Sequence, residues 1–471
     1  MIGIGGGPDL RSSADQNADG SADVLVVGGG ISGLATAYWL RRMAPHLKVK
    51  LLEGEQRPGG KVRTLAEDGY LVDTGPGTLT LGDRAVDELV DALGLADEVI
   101  NAQGAAKRYL VRRGRLVPLP GGPGAALRTP LVSAPGKVRA LLEPLMPRGA
   151  QGDESVHDFL ARRLGSEVAK TIGEAMVSGI FAGDPREISV SAALPQLTYL
   201  ERRHGSLLRG MAAMRRAARP VRRVVGLRGG MGTLTSALAA ALGGLLVTGT
   251  RVLSLAHGGT GYTATTTDGR SVHARELVLA TPAYAAAGLL EPLDPELTEL
   301  LAIPYVPVDV VAIGYRAQDV PRRLDGFGFL APRGEGVRSL GVINASALSP
   351  GSAPEGHVMY RAIAGGALDP GFATLPEQEK VGTVRRDLAT TVGVTAEPSF
   401  ARVIAWPQGI PQYRPGHLER LARIEAAAAR LPGLHLAGNA YRGVGVADCL
   451  RDAKRLADLL RDSVADGALA R

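Results

Sequence analysis

The chain has 471 residues, with 54 Lys and Arg against 47 Asp and Glu, for a net charge of +7. Its 45% hydrophobic content suits a globular protein of two or three domains, and no apolar run of roughly 18 residues predicts a membrane span. One cysteine, Cys449, excludes an internal disulfide and a cysteine metal cluster, and it reads as a small core residue.

Residues 1–21 are rich in Gly, Ser and Asp and lack the basic start and apolar middle of a signal peptide. They read as a disordered tail on a cytoplasmic protein. A short apolar run at 23–28 predicts a buried parallel strand. "ISGLATAYWLRRM" predicts a helix, and "LKVKLLEGE" (47–55) a second strand. This is a βαβ unit, and its turn reads Gly28-x-Gly30-x-x-Gly33. The first glycine permits the tight turn, the second lets backbone approach a pyrophosphate, and the third lets helix and strand pack closely. Glu53, at the end of the next strand, can accept hydrogen bonds from ribose hydroxyls and would repel a 2′-phosphate.

The residues that follow, "GEQRPGGKVRT", bring Arg57, a second glycine pair (Gly59, Gly60) and Lys61. A second close backbone approach suits an extended ligand such as FAD better than NAD. "GYLVDTGPGTL" then places Asp73, Gly75 and Pro76 in another tight turn. A helical, Pro-interrupted region is expected from 84 to 225. Its end, "RRHGSLLRGMAAMRRAARPVRRVVGLR" (202–228), carries nine arginines and no acid. No aromatic residues interleave there, so nucleic acid is not the expected partner. A solvated charged face is the default reading, and an anionic membrane surface is the alternative, with Leu207, Leu208, Met211 and Met214 as a shallow apolar contact.

Residues 226–244 read as a glycine turn into a helix, and 251–283 as a β meander ending in a buried strand. Mixed β runs are expected at 306–366, and a strand at 434–440. "LAGNAYRGVGVADCLRDA" predicts a turn through Gly438, Gly443, Val444 and Gly445 that opens a closing helix near Val446. Such a helix start can offer N–H donors to the pyrimidine edge of a flavin. The first and last segments therefore look like parts of one α/β domain, with other material inserted between them.

Together, "GGGISGL", "EGEQRPGGK", "FAGDPREISV", "GLRGGMGTL", "DGFGFLAP", "WPQGIPQYRPGHLERL" and "GNAYRGVGVADCL" resemble the oxygen-dependent protoporphyrinogen oxidases, FAD enzymes of haem synthesis in the monoamine-oxidase-like flavoprotein superfamily. The resemblance implies a Rossmann-type FAD-binding domain of discontinuous segments (22–90, 226–292, 403–471). It implies a helical membrane-binding and substrate-entry domain (91–225) and an α+β substrate domain (293–402). By the same resemblance, Gly28, Gly29, Gly30, Ile31, Ser32, Gly33 and Glu53 serve the ADP half of FAD, and Arg57 is a further cofactor-binding residue. Gly60, Lys61, Gly75 and Pro76 line the ribityl and flavin region, and Val252 touches the adenine side through its backbone. Trp406, Gly438, Val444, Gly445 and Val446 flank the isoalloxazine. On the substrate side, Arg108 pairs with a propionate, Gly179 offers a backbone acceptor, and Phe327, Leu330 and Ile363 sandwich pyrroles. Gly77 departs from the family, which often carries Asn or Arg there, and Ser178 stands where some relatives are basic.

The implied activity is six-electron oxidation of protoporphyrinogen IX to protoporphyrin IX with three O2, releasing three H2O2. Coproporphyrinogen III oxidation by the same chemistry is the alternative, and a flavin amine oxidase the more remote one. No metal is required. A peripheral seat on the inner face of the cell membrane and a homodimer are both compatible with the sequence.

Overall fold

The computed structural model describes residues 20–101, 107–149, 152–216, 222–322 and 324–469. Residues 1–19 of the expected tail lie outside these. Gly20 and Ser21, expected in the tail, already belong to the first strand.

That strand, Gly20–Val27, turns Val24 and Val26 to one face and Leu25 and Val27 to the other, and all four are buried. A strand covered on both faces is apolar throughout, because alternate side chains both meet core. It pairs in parallel with Val49–Leu52 on one side and Ser271–Leu279 on the other. Val49–Leu52 takes Leu246–Val247 on its outer side. Ser271–Leu279 is shared: its first half runs antiparallel to Gly261–Thr266, and its last three residues run parallel to Leu434–Leu436. One seven-stranded sheet is thus assembled from three remote stretches of chain, as the Rossmann-type reading expects.

Helices Ile31–Met43, Gly232–Leu242 and Val446–Leu469 cover one face through Leu34, Leu40, Leu234, Leu238, Leu450 and Leu456. Cys449 sits in the same core, and burial pushes its thiol up to about 12, so it is an inert packing residue. Helices Ala283–Leu290 and His417–Ala428 cover the other face through Ala286, Leu290, Ile424 and Ala427.

The second sheet runs Phe400–Pro411, Tyr305–Arg316, His357–Gly365, Gly341–Asn344, Gly328–Leu330, Arg108–Arg112, Arg115–Pro118. One face packs on helix Glu377–Thr391 through Val384 and Leu388. The other meets the hairpin strand Tyr70–Asp73 of the dinucleotide region, where Tyr70 and Val72 join Ala312, Met359 and Phe400.

Here the expectation of a helical segment from 91 to 225 needs correction. Arg108–Arg112 and Arg115–Pro118 are strands of the second sheet, and Val99–Asn101 and Arg223–Leu227 pair in a small third sheet with Leu79–Leu81. The longer helices described in this region are Ala134–Leu141, Val156–Leu164, Glu174–Phe181, Pro195–His204 and Leu207–Arg216, with shorter ones such as Pro123–Arg128 and Val190–Ala193 between them.

Candidate active site

The first glycine turn joins the end of Gly20–Val27 to Ile31–Met43. Gly28 has φ +108°, and a Cβ there would press on the Ala280 carbonyl, so only glycine fits. A Cβ on Gly33 would overlap the carbonyl oxygen of Gly28, which is the close strand–helix approach expected of the third glycine. Gly30 differs: a Cβ there would meet nothing within 4 Å. Backbone with clear space before it, at the start of a 13-residue helix whose first N–H groups are free of a side-chain cap, fits a pyrophosphate. Ile31 and Ser32 open that helix and are buried.

Glu53 closes the cradle. Its carboxylate accepts from Gly29 N at 2.6 Å and from Glu55 N at 2.7 Å. Residues 247–250 run beside it, since Glu53 N donates to Val247 O and Thr250 N to Glu53 O. The first residue of strand Val252–Gly258 therefore lies just beyond this acid. Arg57 is exposed on the turn that follows.

The second glycine pair folds back on the first. Gly59 N donates to Gly29 O at 2.7 Å, and a Cβ on Gly60 (φ +57°) would lie 3.2 Å from Gly30 Cα. Lys61 then crosses to the second sheet, donating to the Gln408 and Gly409 carbonyls at 2.8 and 2.7 Å. Burial pushes its ammonium down to about 8. A Cβ on Gly75 would overlap Lys61 O, so the turn carrying Gly75 and Pro76 lies directly on Lys61. Trp406 donates to Thr74 O at 2.7 Å from the far side. Lys61, Gly75 and Trp406 are thus one contiguous surface between the two sheets.

The substrate candidates gather on the second sheet. Arg108 pairs with Gly328, and its guanidinium stands 4.9 Å from the centroid of the Phe327 ring. Leu330, Gly341 and Ile363 pair across three adjacent strands, which places them on one face. Gly179, exposed in helix Glu174–Phe181, abuts Leu330: a Cβ there would come 2.7 Å from its Cδ2. A single turn of π-helix, Ala169–Gly173, leads directly into this helix. Ser178 is buried and donates to Ala175 O, so it presents no polar group to this surface.

The stretch "IPQYRPGH" (410–417) carries no chemical signature of its own in the sequence. Gln412 donates to Phe181 O at 2.9 Å, and Ser189 N donates to Tyr413 O at 2.7 Å, tying down the helical region. The Tyr413 hydroxyl donates to Asn439 O at 2.6 Å and accepts from Gly443 N at 3.0 Å. Its ring stacks on His417 at 4.0 Å, and burial pushes that imidazole down to about 4, so it is neutral. These three side chains lock the helices to the loop that runs from Gly438 through Val444 and Gly445 to Val446. A motif of Gln, Tyr and His after a strand signals such a clamp only once its partners are known.

Arg361 was not singled out from sequence. It lies on the strand that carries Ile363, is 3% exposed, and donates to Gly75 O at 2.9 Å with Asp73 Oδ2 3.4 Å away. Burial lowers its pKa and Asp73 opposes that shift. Among the described residues no group of three or more His, Cys, Asp or Glu is placed to hold a metal.

A glycine cradle at the carboxyl end of a parallel strand, an acid closing it, and a second cradle with a lysine leading into a substrate sheet define a flavin-dependent oxidoreductase. The profile of the flavin-containing amine oxidoreductase family matches residues 31–461, and the chain belongs to that family, with FAD as its cofactor. It is 30% identical over 459 residues to the coproporphyrinogen III oxidase of Bacillus subtilis (strain 168), covering 93% of this chain and 97% of that one. It is 34% identical to the chloroplastic protoporphyrinogen oxidase of Oryza sativa subsp. japonica, covering 96% and 90%. A crystal structure of a provisionally named protoporphyrinogen oxidase from Exiguobacterium sp. 255-15 superposes with a TM-score of 0.81 at 27% identity, covering 93% and 98%.

Proposed function

We propose that the protein oxidises protoporphyrinogen IX to protoporphyrin IX in haem biosynthesis, using three O2 and releasing three H2O2. The observation that carries this reading is one apolar face, Leu330 and Ile363, edged by Arg108 over Phe327 and set beside the flavin cradle. A porphyrinogen is such a ligand: a wide apolar ring with carboxylates on its rim. FAD, when bound, would supply the hydride acceptor for this oxidation, with dioxygen as the terminal oxidant. The chain's own residues orient and exclude water. Arg108 holds a propionate, Phe327, Leu330 and Ile363 cover pyrrole faces, and the exposed backbone at Gly179 accepts from pyrrole N–H groups. Gly28 to Gly33, Glu53 and Arg57 hold the ADP half, Val252 borders the adenine, and Gly60, Lys61, Gly75, Pro76, Trp406, Gly438 and Val444 to Val446 enclose the ring system.

Coproporphyrinogen III is a second reading, favoured because relatives named for that substrate match as fully as those named for the other. Purified holoenzyme offered each porphyrinogen in turn decides between them by its ratio of kcat/KM. A protein that oxidises neither, while carrying FAD, overturns both. Arg108→Ala is expected to raise KM about tenfold or more with a smaller fall in kcat, because it removes binding common to ground and transition states. An unchanged KM for both substrates refutes the propionate role.

We also propose peripheral membrane contact on the cytoplasmic face, with a corrected footprint. Of the four residues first expected to touch the bilayer, Leu207 is buried, Leu208 is half-buried and Met214 packs on the helical core, while Met211 is exposed. Residues 217–221 of that basic stretch lie outside the described residues. Exposed apolar side chains gather instead at Val138 and Leu141 of helix Ala134–Leu141 and at Leu142 and Leu145 in the turn directly after it, with Leu127 on the short helix Pro123–Arg128. Leu207–Arg216 packs beside Glu143–Leu145 and exposes Arg209, Arg215 and Arg216. Apolar contact beside such charge suits anionic lipid. No helix among the described residues is long and apolar enough to cross a membrane. Leu141→Ser with Leu145→Ser should remove most co-sedimentation with anionic liposomes, and Arg215→Gln with Arg216→Gln should weaken it at low salt and leave the remainder less salt-dependent. Full co-sedimentation of the Leu variant, or equal binding to neutral vesicles, refutes this footprint.

A further inference from the structure

Arg361 is among the most deeply buried charges described, yet it lies between the flavin turn and the substrate strand rather than in a core of its own. Its guanidinium faces two fixed acceptors, the Gly75 carbonyl at 2.9 Å and Asp73 Oδ2 at 3.4 Å. Asp73 is itself pinned: its other oxygen accepts from Thr64 Oγ1 at 2.7 Å and from Met231 N at 2.8 Å, and Thr64 Oγ1 accepts from Gly232 N at 2.8 Å. The network therefore joins the hairpin at 64–73, the start of helix Gly232–Leu242 and strand His357–Gly365. Ile363, on the proposed pyrrole-facing surface, is two residues on and on the same face of that strand.

The space that Arg361 occupies belongs to position 77. A Cβ built on Gly77 would lie 2.5 Å from one terminal guanidinium nitrogen and 3.0 Å from the other. Any side chain at 77 would displace the cation, so glycine at 77 is what leaves room for the arginine at 361. Arg361 Nε has no partner and is fully enclosed. A buried guanidinium with one unpaired donor is costly unless its position does something.

We propose that Arg361 is a positioning residue of the flavin site: its guanidinium, filling the space left by Gly77, fixes the 73–77 turn and sets a permanent positive charge between the cofactor turn and the strand that carries Ile363. The inference rests on the flavin assignment and is independent of which porphyrinogen is oxidised. Fixed positive charge near a flavin favours its reduced, more negative form, so the midpoint potential reports the charge, and the rate of FAD release reports the turn.

The test uses holoenzyme carrying Arg361→Met, Arg361→Lys, Gly77→Ala and the pair Gly77→Ala with Arg361→Met, all read without substrate. Arg361→Met is expected to lower the midpoint potential and speed FAD release about tenfold. Arg361→Lys should keep the potential near wild type while still releasing FAD faster, because an ammonium cannot reproduce the planar fork. Gly77→Ala should speed FAD release when Arg361 is present and change it less than about twofold in the Arg361→Met background, the signature of two coupled sites. Unchanged potential and release in Arg361→Met, or additive effects of Gly77→Ala and Arg361→Met, overturn the proposal. If Arg361→Met does not fold, Gly77→Ala and Arg361→Lys decide: wild-type FAD release in both overturns it. Failure of wild type to retain FAD would instead contradict the flavin assignment, and failure to oxidise a porphyrinogen would touch only the substrate reading.

Discussion

Gly30→Val is expected to yield a folded protein that purifies without FAD. The residue has φ −72° and ψ 177°, an extended conformation that valine adopts readily, and a Cβ there meets no protein atom within 4 Å. The apoprotein therefore has no reason to lose stability. The open space is instead where a pyrophosphate would lie against the helix start, and two added methyl groups would occupy it. The absorbance of bound oxidised flavin should vanish while far-ultraviolet circular dichroism stays unchanged. Gly33→Ala is the control with the opposite phenotype. Its Cβ would overlap Gly28 O, so that variant should lose about 1–3 kcal/mol of stability or more and be recovered poorly. Full FAD occupancy in Gly30→Val would show that the open space is not the pyrophosphate site.

Those two glycines were legible in the sequence because their roles are local: a strand, a turn and a helix within thirty residues, closed by Glu53. The Rossmann-type sheet was legible for the same reason, each contributing stretch carrying its own strand and turn signals. The second sheet was only half legible. Arg108–Arg112 joins it by parallel pairing to Gly328–Leu330, more than two hundred residues away, and no turn residue announces such a partner. Arg361 was invisible because "HVMYRAIAGG" reads as a strand whether its arginine faces water or core. That it faces Gly77 is a fact of sheet register alone. The burial of Leu207 was illegible for a different reason. Helices Ala134–Leu141 and Leu207–Arg216 are both amphipathic, and the basic one drew the prediction. Which apolar face is covered depends on the neighbour, and here Leu207 is buried in the helical core, at the helix end that Glu143 caps.

That cap is the centre of the last prediction. Glu143 and Arg163 are a wholly buried ion pair, with Arg163 Nε donating to Glu143 Oε1 at 2.8 Å. Burial works against the carboxylate's charge, but hydrogen bonds from Ser206, the Leu207 and Leu208 N–H groups and Arg163 outweigh it and hold its pKa below the usual range. Arg163 also donates to the Met146, Pro147 and Gly205 carbonyls. One pair thus closes helix Val156–Leu164, the 143–147 turn and the start of Leu207–Arg216 on one another. Arg163→Met leaves a buried carboxylate without its counter-charge and takes a donor from the Met146, Pro147 and Gly205 carbonyls. It is expected to destabilise this helical region by about 3–5 kcal/mol, measured by chemical denaturation. The pair Glu143→Leu with Arg163→Met should cost less than the single change, because no charge is left stranded. The damage should also be regional. The dinucleotide cradle draws on none of these residues, so FAD occupancy should fall far less than stability of the helices. Binding of porphyrinogen past Gly179, and of liposomes through Leu141 and Leu145, should fall together. A loss of less than about 1 kcal/mol, or loss of FAD in step with unfolding of the helices, would show that Glu143 and Arg163 do not organise the substrate side separately from the cofactor side.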